Sequence, residues 1–109
     1  MTARLASRLL VNALVRRAAE EGGHVAVLAR GDDTAGALLI VAQERGAGAR
    51  AFERGYGPDG RAVLIPVGPI DDDAALVDYW RGRRRNDPDL WVIELDIPAA
   101  ERFAAETIL

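Results

Sequence analysis

The chain has 109 residues, half of them hydrophobic, and a formal net charge of −3. This length suits one domain with one core, so residues 1–109 are expected to form a single globular unit, and the acidic balance provides no basic field to attract nucleic acid or anionic lipid. Because there is no cysteine and only one histidine, disulfides, thiolate chemistry and metal sites with two histidines are excluded.

The first predicted helix runs from Arg4 to Glu21, with Thr2 as its N-cap and Gly22-Gly23 as its stop signal. One broad apolar face is expected to enter the core. It comprises Leu5, Ala6, Leu9, Leu10, Ala13 and Leu14. Val11 and Val15 fall on the opposite side, and a helix that is apolar on two sides is packed on two sides. This second stripe is a candidate for contact with another strand or with another subunit.

Four strand segments separated by turn signals follow the first helix. The second segment is apolar throughout, as is typical of a central strand covered on both faces. Pro66 in the fourth predicts an edge or a bulge, because proline cannot donate a hydrogen bond to a ladder. The short turns between segments predict antiparallel neighbours. The segments are His24 to Arg30, Ala37 to Gln43, Arg50 to Arg54 and Arg61 to Val67.

The rest of the chain predicts a helix, a strand and a short second helix. Asp71 to Arg85 is expected to be helical, with Leu76 and Trp80 on one face because they are four residues apart. Leu90 to Asp96 is the last predicted strand, and its direction in the sheet stays open because a helix precedes it. The tail from Pro98 to Leu109 has high helix propensity, with its proline at a favourable first helical position.

These elements predict an α+β fold. We expect a mainly antiparallel sheet of four or five strands, with the N-terminal helix and the helix before the last strand packed on it. The expected core residues are Leu9, Ala13, Val25, Val27, Leu38, Ile40, Val63, Ile65, Leu76, Trp80, Trp91 and Ile93.

An arginine cluster at the end of the second long helix is the first candidate for function. It consists of Arg81, Arg83, Arg84 and Arg85. Such a cluster can bind phosphate, nucleic acid or an acidic partner. It also suits the helix dipole, because acids at positions 71–73 open the helix and bases close it. In an acidic chain the dipole interpretation is favoured, so anion or nucleic-acid binding is kept as the alternative.

Two aspartates flank Pro88 directly after the arginines. Asp87 and Asp89 could act as paired carboxylates on a metal or in acid–base chemistry. No third ligand with matching spacing accompanies them, and aspartate is common in turns, where its side chain accepts hydrogen bonds from the backbone. The sequence therefore favours a turn at this point, and it indicates no metal site, no cofactor and no catalytic set.

The segment from Asp87 to Leu95, DPDLWVIEL, resembles the signature of a small bacterial family, domain of unknown function 1491. Three other stretches agree with that family: residues 13–17, residues 30–37 as a first hairpin, and the helix from Tyr79 to Arg85. The resemblance covers roughly residues 3–96, whereas the tail from Ile97 to Phe103 departs from the family. The resemblance implies membership of a family that occurs mainly in alphaproteobacteria. It implies no known activity, cofactor or catalytic residue.

The preferred hypothesis is a non-enzymatic domain that binds a protein partner or forms a homodimer, with Val11 and Val15 at the contact. The alternative is anion or nucleic-acid binding through the arginine cluster, and a weaker third hypothesis is a small-molecule enzyme that uses Asp87 and Asp89. No apolar run approaches the roughly 20 residues of a membrane helix, and the first residues lack a signal-peptide pattern. We therefore expect a cytoplasmic protein that does not enter a membrane.

Overall fold

The computed structural model describes residues 5–109, so the predicted cap at Thr2 and helix start at Arg4 lie outside the described part. The described elements, in chain order, are α1 (Ser7–Glu20), β1 (His24–Ala29), β2 (Leu38–Glu44), β3 (Ala47–Tyr56), β4 (Ala62–Val67), α2 (Asp73–Asn86), β5 (Trp91–Asp96) and α3 (Ala100–Ile108). The helix expected in the tail is present, but it begins after Ala99, which has a φ of 52°, so Pro98 precedes the helix.

The five strands form one sheet in the order β1-β5-β2-β3-β4. β5 pairs antiparallel with β1 and parallel with β2, whereas β2, β3 and β4 are successive antiparallel neighbours. The α+β fold with a mainly antiparallel sheet is therefore confirmed, and β5 lies near the middle of the sheet. Pro66 lies in the edge strand β4, as its missing N–H group predicts.

The connection between β1 and β2 is not the hairpin turn that the sequence indicated. Residues 30–37 instead cross the beginning of β5, where the Asp32 N–H donates to the Asp89 carbonyl over 3.0 Å. A Cβ atom would lie 2.1 Å from that carbonyl oxygen at Gly31 and 2.2 Å from it at Gly36. The two glycines therefore allow this close backbone contact, and β5 fits between β1 and β2.

Helices cover both faces of the sheet, which divides the hydrophobic core into two parts. α1 and α3 pack on one face, with a core of Leu10, Val11, Leu14, Ala18, Leu38, Ile40, Ala42, Phe52, Trp91, Ile93, Leu95, Ile97, Ala100, Phe103, Ala104 and Ile108. α2 packs alone on the other face, with a smaller core of Leu39, Val41, Ala51, Leu76, Leu90 and Val92.

The orientation of α1 is rotated relative to the predicted one, since Leu10 and Leu14 of the predicted inner face are buried but other members of that face are not. Leu9 is 48% exposed, whereas Val11 is 4% exposed and packs in the core. Ser7, the first residue of the helix, is also buried, and its hydroxyl donates a hydrogen bond to the Gly36 carbonyl. This bond fixes Ser7 on the inner side of the helix, and Val11, one turn further on, follows it there.

Three further residues expected in the core are exposed because they lie on edge strands. Val27 is on β1, and Val63 and Ile65 are on β4. An edge strand has one neighbouring strand instead of two, so fewer side chains surround it.

Candidate functional site

Arg83 of the arginine cluster binds the sheet. Its guanidinium donates to the Glu53 carboxylate on β3 over 2.8 and 3.4 Å, and to the Tyr79 hydroxyl over 2.9 Å. The hydrogen bond with Glu53 raises the pKa of Arg83 further above its ordinary value, so the guanidinium stays charged. Arg83 therefore joins α2 to β3 and is already occupied within the chain.

Arg84 and Asp87 close the turn between α2 and β5. Arg84 donates to the Pro88 carbonyl and, over 3.0 Å, to the Leu90 carbonyl. The Asp87 carboxylate accepts the Asp89 N–H over 3.1 Å, which is the side-chain-to-backbone bond of an aspartate turn. Asp87 therefore stabilises the turn, as its residue type indicates. Among residues 5–109, no group of three acidic or histidine side chains is placed to hold a metal ion.

Arg81 and Arg85 are the two arginines of the cluster that remain exposed on α2. The Arg81 guanidinium lies 5.7 Å from the centroid of the Trp80 ring, within the range of a cation–π contact. Neither arginine forms a salt bridge within the described part of the chain. The structure thus divides the cluster into two structural arginines and two available ones.

The two valines named for self-association differ in exposure. Val11 is buried in the core, and Val15 is 43% exposed. Both border one depression on the surface, which Arg8 and Val27 also line. Only Val15 of this pair offers surface to another molecule.

A groove beside α2 is the feature that the sequence did not indicate. It has a volume of about 140 Å³, and its walls include the apolar residues Leu28, Val77 and Trp80 and the acidic residues Asp73 and Glu94. We refer to these five residues as the α2 groove. Apolar walls with a few charged groups at their border are typical of a binding surface.

The groove lies where α2 gives β1 little cover. The buried residues of the α2 core lie on β2, on β3, on β5 or just before β5, and Ala29 of β1 packs against them. In contrast, Leu28 of β1 is 38% exposed and Ala26 is also exposed. A bulge between Val27 and Ala29 interrupts the pairing of β1 with β5 at Leu28. Bulges re-aim side chains, and here Leu28 joins the α2 groove. The bulge depends on the pairing with β5, and hence no local sequence signal could have revealed it.

No helix within residues 5–109 combines the length and the apolar character needed to span a membrane. The Protein of unknown function (DUF1491) family model matches residues 5–105. No curated protein matches the chain.

Solved structures with a similar fold include two of DUF1491 family proteins. A crystal structure of a DUF1491 family protein from Caulobacter crescentus CB15 has a TM-score of 0.79 at 31% identity, covering 91% of this chain and 94% of that one. An NMR structure of a DUF1491 family protein from the same organism has a TM-score of 0.73 at 33% identity and covers 86% of each chain. The solution structure of protein Atu0922 from A. tumefaciens has a TM-score of 0.67 at 26% identity and covers 87% of each chain.

Proposed function

The chain belongs to the DUF1491 family of proteins of unknown function, and we propose that it is a small non-enzymatic domain that acts by binding a protein at the α2 groove. The observation that carries the proposal is the incomplete cover of the sheet. Two helices pack on one face, but α2 alone packs on the other.

The chemistry of the groove supports binding to a protein. Trp80 is only half-buried, and Leu28 and Val77 lie beside it. Aromatic and arginine side chains at the centre of an apolar patch supply most of the binding energy in protein interfaces. Arg81 lies against the exposed part of Trp80, so both residue types are present at one point.

Site-specific photo-crosslinking tests this function. A photoreactive amino acid in place of Val77, at the groove, is expected to give a discrete covalent adduct in cells that produce the full chain. The matched control has the same amino acid in place of the exposed Arg102 on α3, across the sheet, and is expected to give none. Equal adducts at both positions, or none at Val77, would contradict the proposal.

The cytoplasm is the compartment that we propose for this domain. A fluorescent protein fused to Leu109 would report it, with diffuse cytoplasmic signal expected. Fluorescence concentrated at the cell envelope would contradict this placement.

Anion binding is the second candidate function, since Arg81 and Arg85 are exposed and form no salt bridge with other described residues. In this case the chain should be retained on heparin at low salt, and retention should fall steeply as salt rises. The Arg81→Gln/Arg85→Gln variant should then elute earlier than the matched Arg8→Gln/Arg16→Gln variant, which removes the same number of charges from α1. If the unmodified chain passes through heparin at low salt, this second candidate is eliminated.

A further inference from the structure

We propose that the protein bound in the α2 groove is a second copy of this chain, with the two α2 helices antiparallel about a two-fold axis at Val77. This inference rests on the proposed function of the groove and specifies the partner. It is drawn from the order of charges along α2 and from the unfilled apolar surface beside it.

The first argument is the register of charges. Asp73, Val77 and Arg81 follow one another at four-residue spacing, so they form one row along the helix. If two such helices run antiparallel with Val77 opposite Val77, then Asp73 of each copy faces Arg81 of the other. The row is therefore complementary to itself, which is what a two-fold interface requires.

The second argument concerns ion pairs within the described part of the chain. Neither Asp73 nor Arg81 forms a salt bridge with any residue from 5 to 109. The opposite face behaves differently, since Arg17 on α1 pairs with Glu106 on α3, and Glu106 also pairs with Arg102. The helices that pack together share their charges, whereas α2 presents unmatched charges of both signs.

The third argument is the apolar surface that a second α2 would cover. Leu28 and Trp80 line the groove beside Val77, and Ala74 on the outer side of the helix is small enough to allow close approach. α2 has 14 residues, which at about 1.5 Å each makes a contact length of about 21 Å. In a symmetric pair each copy would cover the other's Leu28, so the apolar contact is made twice.

Other occupants satisfy the groove less completely. A basic peptide would pair with Asp73 and Glu94 but would repel Arg81. An acidic peptide would pair with Arg81, but its negative charges would repel Asp73 and Glu94. A helix with acids at one end and bases at the other, laid in the reverse direction, matches both Asp73 and Arg81, and α2 itself is such a helix.

Charge reversal tests the register, with sedimentation velocity over a concentration series as the measurement. The unmodified chain is expected to dimerise, less tightly as salt rises because salt screens the two ion pairs. Asp73→Arg alone and Arg81→Asp alone should each weaken dimerisation by about tenfold or more, since like charges then meet twice.

Recombining the reversed charges provides the decisive comparison. A one-to-one mixture of the Asp73→Arg chain and the Arg81→Asp chain should dimerise again, because both contacts of the mixed pair then join opposite charges. The double variant Asp73→Arg/Arg81→Asp should also dimerise with itself. Matched controls on the opposite face are Glu101→Arg, in the first turn of α3, and Arg16→Asp, in α1. These should leave dimerisation unchanged, and circular dichroism verifies that every variant is folded.

The outcomes separate this inference from the function on which it rests. If the unmodified chain stays a monomer while the photoreactive residue at position 77 crosslinks a different protein, then the groove binds a protein, but the proposal that this protein is a second copy of the chain is wrong. If the chain is monomeric and Val77 crosslinks nothing, both proposals fail. A dimer that survives both single reversals, or that the mixture does not restore, would overturn the register.

Discussion

Arg83 on α2 and Glu53 on β3 form an ion pair in which the guanidinium Nη2 lies 2.8 Å from the carboxylate Oε2. The pair anchors the β3 side of the helix. Asp73 and Val77 of the same helix border the α2 groove, which Leu28 of β1 also lines. The ion pair therefore fixes the helix that presents these groove residues to another molecule.

Replacing Arg83 by lysine should lower the free energy of unfolding by about 1 kcal/mol. The charge is kept, but an ammonium group cannot reproduce the two-pronged contact of the guanidinium with Glu53. Urea denaturation would measure the change. The exposed Arg85→Lys variant is the control and should unfold at the same urea concentration as the unmodified chain. Equal midpoints for both variants would show that the ion pair adds nothing to stability.

Trp91→Phe should destabilise the fold by about 1–2 kcal/mol, since it removes a part-buried hydrogen bond and leaves the Asp32 carbonyl without this donor. The Trp91 indole N–H donates to the Asp32 carbonyl over 2.7 Å, and this bond holds the β1–β2 connection against β5. Thermal unfolding followed by circular dichroism checks the prediction. Trp80→Phe should cost less, because Trp80 is only half-buried. The interpretation fails if the two substitutions cost the same.

Gly36→Ala should also destabilise the fold, by about 1–3 kcal/mol, through overpacking. The new Cβ would lie 2.2 Å from the Asp89 carbonyl oxygen, and neither backbone segment can yield as a side chain would. Gly57→Ala provides a control, because its nearest neighbour is the Asp59 Oδ1 atom at 3.2 Å, at the end of a side chain. Chemical denaturation of both variants in parallel would test the difference. A milder effect at Gly36 than at Gly57 would show that the close backbone contact between Gly36 and Asp89 does not require glycine.

Gly82→Ala should have the opposite effect and stabilise the chain by up to about 1 kcal/mol. Glycine inside a helix costs about that much relative to alanine, and Gly82 lies within α2. A Cβ at this position would have the Arg85 Nη2 atom as its nearest neighbour, at 3.4 Å, and that side chain is free to move. A rise in melting temperature would support the prediction, and a fall would indicate that the backbone at Gly82 has a role in α2.

Features that depend on neighbouring residues were predictable from the sequence. The turn at Asp87-Pro88-Asp89 forms as its residue types indicate, because its hydrogen bonds join residues only a few positions apart. The edge position of Pro66 follows equally from its own chemistry. In both cases the physical cause and its effect lie within the same short segment.

Features that depend on distant contacts were not predictable in this way. α1 is apolar on two sides, so its pattern alone does not select the inner face, and the buried bond from Ser7 to Gly36 joins segments that are far apart in the chain. Leu28 enters the α2 groove through a bulge that exists only when β1 pairs with β5. The candidate site was missed because it is assembled from β1, α2 and β5, and none of these segments reveals it separately.

The position of β5 also determines the order in which the sheet can form during synthesis. β1 emerges early from the ribosome, but its partner in the sheet is β5, near the end of the chain. The β2–β3–β4 meander can assemble from local contacts. In contrast, β1 can pair fully only after the chain has been synthesised as far as Asp96, the last residue of β5, and contacts between distant segments slow folding. A nascent chain stalled before β5 is therefore expected to hold a formed meander and an unpaired, apolar β1, which is the state that most needs protection from aggregation.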